Sequence, residues 1–388
     1  MKVALFTDTY YPQKNGVVTF LSDFLPVLSK YAEVVLFAPG DRELKIEKKG
    51  GIRVCSVPAL PFPFYEGYRM ATIRRKKITE LLAAEKPDVI HLHAPVLLGL
   101  RALLVGKKMR IPVVATYHTH FPDYLPHLSK GLLRGWIADM AKIPVQKLVG
   151  IVFSQADVVT APTTALKREL EGYGIRNVNY IPNGISFSKF ENVSTRQDIR
   201  KFYNIPNDAP LVLYVGRISF EKRIEVLLSA FRLVKKEVPN ACLVIAGSGP
   251  YLGDYKKLAN AMRLKGVLFT GFVPDRVLPL LYKTADVFVS ASDSETFGLT
   301  FVEAMYFGLP VVGVKRLGAA SVIRAQTGLL TEPGDEVALA TNVIRILKNR
   351  KLRKRLGMFG KKEAKRYEIE NVVKRFLSIY KKLTRKSI

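Results

Sequence analysis

Two α/β domains, each a doubly wound parallel sheet, are the architecture this sequence predicts. Three observations carry that expectation. The chain has 388 residues, too many for one ordinary hydrophobic core and suited to two domains of usual size. Short apolar runs rich in β-formers alternate with longer segments of helical period, as in βαβ units whose parallel sheet is covered by helices. That alternation occurs in two series, separated by a polar stretch rich in Pro, Gly and Asn.

The first series opens with "KVALFT" as a strand, then "VVTFLSDFLPVLSKY" at helical spacing, then "EVVLFAP", and later "DVIHLH" and "PVVATYHT" as strands. The second begins at "PLVLYVGR" and continues through "ACLVIAG", "VLFTGF", "DVFVSAS" and "LPVVGV", each followed by helix-like spacing. Between them, "YIPNGISFSKFENVSTRQDIRKFYNIPNDAP" suits a crossing segment, with a hinge expected between Asn183 and Asp208. The expected domains are 1–190 and 191–369. Facing each other, two such sheets would bring the carboxyl ends of their strands, where doubly wound folds bind ligands, to one interdomain cleft.

Composition narrows the class. Hydrophobic residues make up 48% and aromatics 10% of the chain, which excludes a disordered protein. Cys55 and Cys242 are the only cysteines, far apart and in no metal-binding spacing, so neither a disulfide framework nor a thiolate zinc site is expected and a reducing cytoplasm fits. "MKVALFTDTY" reads as a first strand rather than a signal peptide. No apolar run approaches the ~18 residues that span a bilayer. The formal net charge of +28 favours a polyanionic partner, nucleic acid or an anionic lipid surface. From Lys348 onward there are 16 Lys and Arg against 3 acids, which ordinarily means a solvated helix face. The basic residues are not organised as a nucleic-acid module, so no nucleic-acid partner is expected. Nothing in the sequence fixes an oligomeric state.

The chemistry falls just after the strands. In "SETFGLTFVEAMYFGLPVV", residues 294–312, a helix starting near Gly298 would aim the backbone N–H groups of Phe297, Gly298, Leu299 and Thr300 at an anion. Glu295 precedes that anion site and Glu303 lies about a turn into the helix, so the two acids can bind hydroxyls on either side of a phosphate. A nucleoside diphosphate sugar has that layout of ribose, pyrophosphate and hexose. Taken alone, the pair reads more simply as a surface helix acid and a dipole partner. It is joined, however, by Arg217 and Lys222 in "GRISFEKRIEVLL", cations able to neutralise a leaving diphosphate without a metal. Gly16 in "QKNGVVTFL" lets backbone approach a ligand at the start of a helix. Gly247 in "GSGPYL" and Val273 in "GFVPD" mark further turns at strand ends.

All five histidines fall between 91 and 127. Their His-x-His pairs invite a metal, but no Cys and no clear carboxylate partner completes a ligand set. His118, just past a strand, reads instead as a hydrogen-bonding group at the cleft. No Asp-x-Asp pair offers to hold Mg²⁺ on a diphosphate. No metal and no other cofactor is expected; Arg217 and Lys222 take the metal's place.

Together these residues resemble the retaining glycosyltransferases of family four, which have the GT-B fold. The resemblance spans nearly the whole chain. It rests first on the E-x7-E spacing of Glu295 and Glu303, then on "GRISFEK", "IPNGI", "GSGP" and "NGVVTFL". It implies that Glu303 binds the donor ribose, that Glu295 and the Phe297 to Thr300 amides hold sugar and diphosphate, and that Arg217 and Lys222 bind the phosphates. It further implies that Gly16 approaches the diphosphate, that His118 contacts the donor sugar, and that the last helix, about 370–388, returns to the first domain. The implied reaction moves a hexose from a nucleotide sugar, UDP-glucose or a related donor, with retention and without a metal. Three departures stand out: Asn15 precedes Gly16 where members often have two glycines, "GIS" with Ser186 replaces "GID", and "RLGAASVI" lacks the acid of the Gly-Gly-x-Pro-Glu loop.

The acceptor expected is a membrane lipid such as diacylglycerol, glycosylated by a cytoplasmic protein resting on the inner face of the cell membrane. "LLRGWIADMAKIPVQKLV" sets Leu133, Trp136, Ile137 and Met140 at helical spacing with Arg134, Lys142 and Lys147 nearby, as an interfacial helix would. Residues 61–150 hold 14 Lys and Arg against 6 acids, including "RRKK" at 74–77. "PFPFYEGYRMA" and "TYHTHFPDYL" are similar to lipid-glycosylating members of the family, diacylglycerol glucosyltransferases among them. A soluble sugar or metabolite is the alternative acceptor, and the apolar stripe then packs on the sheet.

Overall fold

The computed structural model describes residues 1–13, 15–62, 69–93, 95–120, 122, 136–191 and 198–385, apart from the side chains of 136–142. Leu133, Arg134 and His127 lie outside the described residues, as do the side chains of Trp136, Ile137, Met140 and Lys142. The chain forms two compact units, Met1–Gly184 with Ile369–Ile388, and Ile185–Glu368.

The first unit is built on strands β1 (Lys2–Thr7), β2 (Glu33–Pro39), β3 (Lys45–Lys49), β4 (Ile52–Val57), β7 (Val89–His93), β8 (Val113–Thr116), β9 (Val158–Ala161) and β10 (Val178–Tyr180). A separate hairpin pairs β5 (Ala59–Pro61) with β6 (Arg69–Ala71). The sheet order is β10-β9-β8-β7-β1-β2-β4-β3, parallel except that β3 runs antiparallel to β4. Val3, Ala4, Leu5 and Phe6 of β1 are fully buried, which is why the strand reads as a continuous apolar run: helices cover both faces of a parallel sheet. At the edge, β3 has the sequence KIEKK and is exposed throughout, its charges discouraging another strand from adding on.

Helix Gly16–Leu28 lays Phe20, Leu21, Phe24 and Leu28 on this sheet at spacings of three and four. Asn15 caps it, its Oδ1 accepting from Val17 N at 3.0 Å and Val18 N at 3.1 Å. The last helix, Ile369–Arg385, buries Val372, Val373, Phe376, Leu377 and Tyr380 in the same cluster. Each such side chain contributes about 1.5–3 kcal/mol on burial, enough to return the C-terminus to the first unit.

The second unit is a six-stranded parallel sheet of β11 (Leu211–Val215), β12 (Cys242–Ala246), β13 (Val267–Gly271), β14 (Val287–Val289), β15 (Val311–Val314) and β16 (Gly328–Thr331), in the order β13-β12-β11-β14-β15-β16. The unit begins at Ile185, earlier than the expected boundary at 190. The reason is burial: Ile185, Phe187 and Phe190 belong to this unit's core, and Phe187 stacks on Tyr306 with ring centroids 4.3 Å apart. Three apolar residues inside a polar linker decide where it ends. The strand order reverses between β11 and β14, which makes the loops after those two strands the ligand-binding position of a doubly wound sheet. In the first unit the reversal lies between β1 and β7. Among the described residues, no helix is long and apolar enough to cross a membrane.

Candidate active site

In the second unit the loops at the reversal point carry the predicted charges. The turn after β11 holds Arg217 and, in a short 3₁₀ segment Phe220–Lys222, Lys222; the loop after β14 holds Glu295. Lys222 Nζ donates to Glu295 Oε1 at 2.6 Å, both side chains being about four-fifths buried, with 17% and 21% exposed. Burial works to lower the Lys222 ammonium, but the adjacent Glu295 carboxylate, with Tyr214 and Glu221 adding to it, holds the group above the usual lysine range. The two loops are laced together around this pair. Ser292 and Ser294 hydroxyls each donate to the Glu221 carbonyl at 3.2 Å, and Arg223 Nε reaches Asp293 Oδ2 at 3.4 Å. Beneath them the buried Tyr214 hydroxyl donates to the Arg217 carbonyl at 3.1 Å.

The expected helix is present as Leu299–Tyr306, with Gly298 as its N-cap in the left-handed region at φ 86°, where a side chain is strained. Glu303 is buried, only 6% exposed, and its Oε2 accepts from the Tyr282 hydroxyl at 2.9 Å. Burial first, and the Glu303 carboxylate second, push the Tyr282 phenol well above its ordinary value, so it stays a donor. Lys189 Nζ lies 3.9 Å from Glu303 Oε1. Glu303 is therefore an inward-facing acid with a fixed orientation, unlike an ordinary surface helix acid. Phe297 and Val273 put their side chains in the core, leaving only backbone to offer a ligand. Leu299 and Thr300 occupy the first turn of the helix, half-buried.

Two glycines here are required by packing. A Cβ on Gly247, whose φ is 147°, would stand 1.8 Å from the Gly216 carbonyl oxygen, so the turns after β11 and β12 touch only as glycines. Gly318, in the "RLGAASVI" loop, donates its N–H to the Glu295 carbonyl at 2.6 Å, and a Cβ there would lie 2.5 Å from Phe297 N. Gly318 thus presses on the backbone between Glu295 and the helix start. The sequence marks the Gly318–Ser321 loop only for its missing acid and does not announce this close approach; Tyr282 it does not mark at all.

In the first unit, His118 follows β8 and is buried, as is His93 at the end of β7. His93 Nδ1 and His118 Nε2 are 2.9 Å apart, one donating and the other accepting; among the described residues His93 Nε2 and His118 Nδ1 have no hydrogen-bond partner. Burial pushes the His118 imidazole down to about 3, against an opposing pull from Asn183, and lowers His91 and His93 well below the usual histidine value. All three rings are neutral at physiological pH. His91 is spent internally, Nδ1 on the Tyr380 hydroxyl at 2.5 Å and Nε2 on Thr116 Oγ1 at 2.7 Å. Among the described residues, no group of three or more His, Cys, Asp and Glu gathers as metal ligands would.

A Cβ at Gly16 would meet nothing of the protein within 4 Å, so internal packing does not demand glycine at this helix start. Asp8, just past β1, was not anticipated. Its buried carboxylate accepts from the backbone N–H groups of Val96, Leu97, Leu98 and Gly99 at 2.8–3.1 Å, fixing the start of helix Leu97–Lys108 against the end of β1.

Two family models match the chain, one described as Glycosyltransferase Family 4 over residues 14–189 and one as Glycosyl transferases group 1 over residues 195–363. The alpha-monoglucosyldiacylglycerol synthase of Streptococcus pneumoniae is 34% identical over 319 residues, spanning 80% of this chain and 70% of that protein. Among solved structures, sucrose-phosphate synthase from Thermosynechococcus elongatus superposes with a TM-score of 0.77 at 24% identity, covering 99% of each chain. Anabaena Alr3699/HepE in complex with UDP-glucose does so with a TM-score of 0.74 at 20% identity, over 98% of this chain and 100% of that one.

Proposed function

This chain belongs to family four of the glycosyltransferases, retaining enzymes that use nucleotide sugars, and has their GT-B-like fold; on that premise we propose that it glucosylates a membrane lipid such as diacylglycerol, from UDP-glucose and without a metal ion. The observation that carries the donor assignment is the part-buried Lys222–Glu295 pair at the reversal point, next to a helix start whose buried acid, Glu303, is held by Tyr282.

In this reading Glu303 accepts from the ribose hydroxyls, and the amides of Phe297 to Thr300 meet the diphosphate at the positive end of the helix. The Arg217 and Lys222 cations stabilise the charge that grows on the departing diphosphate. Glu295 holds the Lys222 ammonium in place and faces the hexose. Gly247 and the backbone at Val273 border the nucleotide. From the first unit, Gly16 brings backbone to the diphosphate, and the neutral His118 ring exchanges a hydrogen bond with a sugar hydroxyl. The bond between the anomeric carbon and the diphosphate oxygen breaks, the acceptor oxygen bonds to that carbon on the same face, and the acceptor's proton passes to the leaving phosphate oxygen.

The lipid acceptor is supported by the similarity to the Streptococcus pneumoniae alpha-monoglucosyldiacylglycerol synthase and by this chain's surface. Helix Trp136–Phe153 exposes Ile143, Leu148 and Ile151 at 52%, 59% and 64%, with Lys147 among them. Arg74 to Lys77 are exposed without interruption. Apolar side chains flanked by cations suit a peripheral protein on an anionic leaflet, here the inner face of the cell membrane.

Calorimetry tests the donor site. UDP and UDP-glucose are expected to bind in the presence of a chelator, and Glu303→Ala to weaken UDP by the loss of one or two charge-assisted bonds, each worth about 1.5–3 kcal/mol. Unchanged UDP affinity in Glu303→Ala would remove the ribose assignment.

A further inference from the structure

The second unit carries a surface that this reading does not use. Helix Arg350–Ala364 buries Leu352, Leu356, Gly357, Gly360 and Ala364, and its Gly357 passes so close to Gly308 that a Cβ would lie 2.0 Å from that carbonyl oxygen. The opposite side is solvent-exposed, with Lys351, Lys354, Arg355, Lys361, Lys362 and Lys365 around Met358, 63% exposed, and Phe359, 38% exposed. At 100° per residue these positions fall within one half of the helix circumference, with Met358 inside the basic arc and Phe359 flanking it.

An ordinary solvated helix face interleaves acids with bases, as helix Thr164–Gly172 of the first unit does with Lys167 and Glu171, 2.5 Å apart. Here it does not. Between Lys348 and Arg366 the sole acid is Glu363, and it is engaged by Arg324 at 3.2 Å and Arg366 at 3.1 Å. The six cations have no acidic partner among the described residues. Lys351 with Lys354 and Arg355, and Lys361 and Lys362 with Lys365, stand at the like-charge spacings that weaken a helix. The face accepts self-repulsion and exposes a Met and a Phe, a combination matched to a surface that is anionic outside and apolar beneath.

We propose that this face of the second unit docks on an anionic lipid surface, its cations at the lipid phosphates and Met358 and Phe359 in the headgroup layer. It rests on the membrane reading given above but assigns a second, separate contact, since that reading places the membrane on Arg74 to Lys77 and helix Trp136–Phe153. The occupant is lipid rather than nucleic acid because the exposed apolar pair gains nothing from a phosphate backbone alone.

Flotation of the full-length protein with vesicles of phosphatidylglycerol and phosphatidylcholine tests this, beside pure phosphatidylcholine vesicles and duplex DNA at the same salt. Two variants are compared with the parent, Met358→Ser/Phe359→Ser and Lys354→Gln/Arg355→Gln/Lys361→Gln/Lys362→Gln, each checked for an unchanged melting curve and unchanged hydrolysis of donor in solution. Each is expected to lose at least about tenfold in partition onto the anionic vesicles, with no binding of any form to the neutral ones. Wild-type partition by both variants overturns the proposal; if neutralising Arg74 to Lys77 then abolishes binding, the first-unit reading still stands. Loss by these variants with no effect from Arg74 to Lys77 would leave this contact and remove the other. Variants that lose DNA affinity while keeping vesicle binding would identify a nucleic-acid face and also overturn it.

Discussion

Replacing Lys222 with methionine removes one charge and little volume, leaving Glu295 to face the loss alone. The pair is close, 2.6 Å, but 17% and 21% exposed, so water reaches it. A fully buried pair stripped of one partner costs about 3–5 kcal/mol, and partial solvation should bring the folding cost to about 1–3 kcal/mol. The effect on turnover is separate and larger: a missing cation where the diphosphate charge develops should lower kcat about 10²–10³-fold. Glu295→Gln keeps the cation and should cost less stability. Urea unfolding gives the first quantity and donor turnover the second. The folded Lys222 value is raised, so the pair's stabilisation is complete below the unfolded lysine value of about 10.4 and is lost only as pH rises through the higher folded value. No alkaline inflection of activity below about pH 10 should come from this group. Lys222→Met turning over donor at half the parental rate or better would exclude Lys222 from stabilising the departing diphosphate.

Tyr282→Phe deletes the hydroxyl that orients Glu303 and is expected to weaken UDP binding about tenfold or more, read by calorimetry with the melting temperature as control. Gly318→Ala forces backbone apart at Phe297 and Glu295 and should cost about 1–3 kcal/mol in urea while lowering donor affinity; an unchanged midpoint would count against the close approach. His91, His93 and His118 have lowered folded values, so below about pH 6.5 the unfolded chain binds protons that the folded chain does not. Stability should therefore fall as pH drops toward 4, by up to about 1.4 kcal/mol per pH unit for each ring, and His118→Asn should make that fall shallower.

The central strands and the helices on them were readable because those strands are short apolar runs and the helices stripes at spacing three and four, whereas the edge strand β3, KIEKK, carries no such run. The helix start at Gly298 was readable too, since glycine both permits the left-handed cap and clears the loop. Partnerships across the fold were not. Lys222 and Glu295 are 73 residues apart, and His91 meets Tyr380 across 289, with no local pattern to announce either pair. Tyr282 reads as an ordinary core aromatic until its hydroxyl is seen on Glu303. Asp8 had one signal, an acid directly after an apolar strand, but its four amide donors belong to a segment almost ninety positions on. The unit boundary was misplaced because Ile185, Phe187 and Phe190 sit among polar residues that dominate the average of the linker. The apolar stripe from Leu133 to Met140 falls where side chains are not described, while the same helix exposes Ile143, Leu148 and Ile151 further on.

Transfer of glucose to lipid is read most plainly from the fate of radiolabelled UDP-glucose incubated with the enzyme, a chelator, and anionic vesicles containing diacylglycerol. Label is expected in the lipid phase as a single glucosyl lipid whose anomeric proton coupling in NMR is that of the α-configuration, as retention from an α-linked donor requires. Label confined to water-soluble products, or a β-linked lipid, would contradict it.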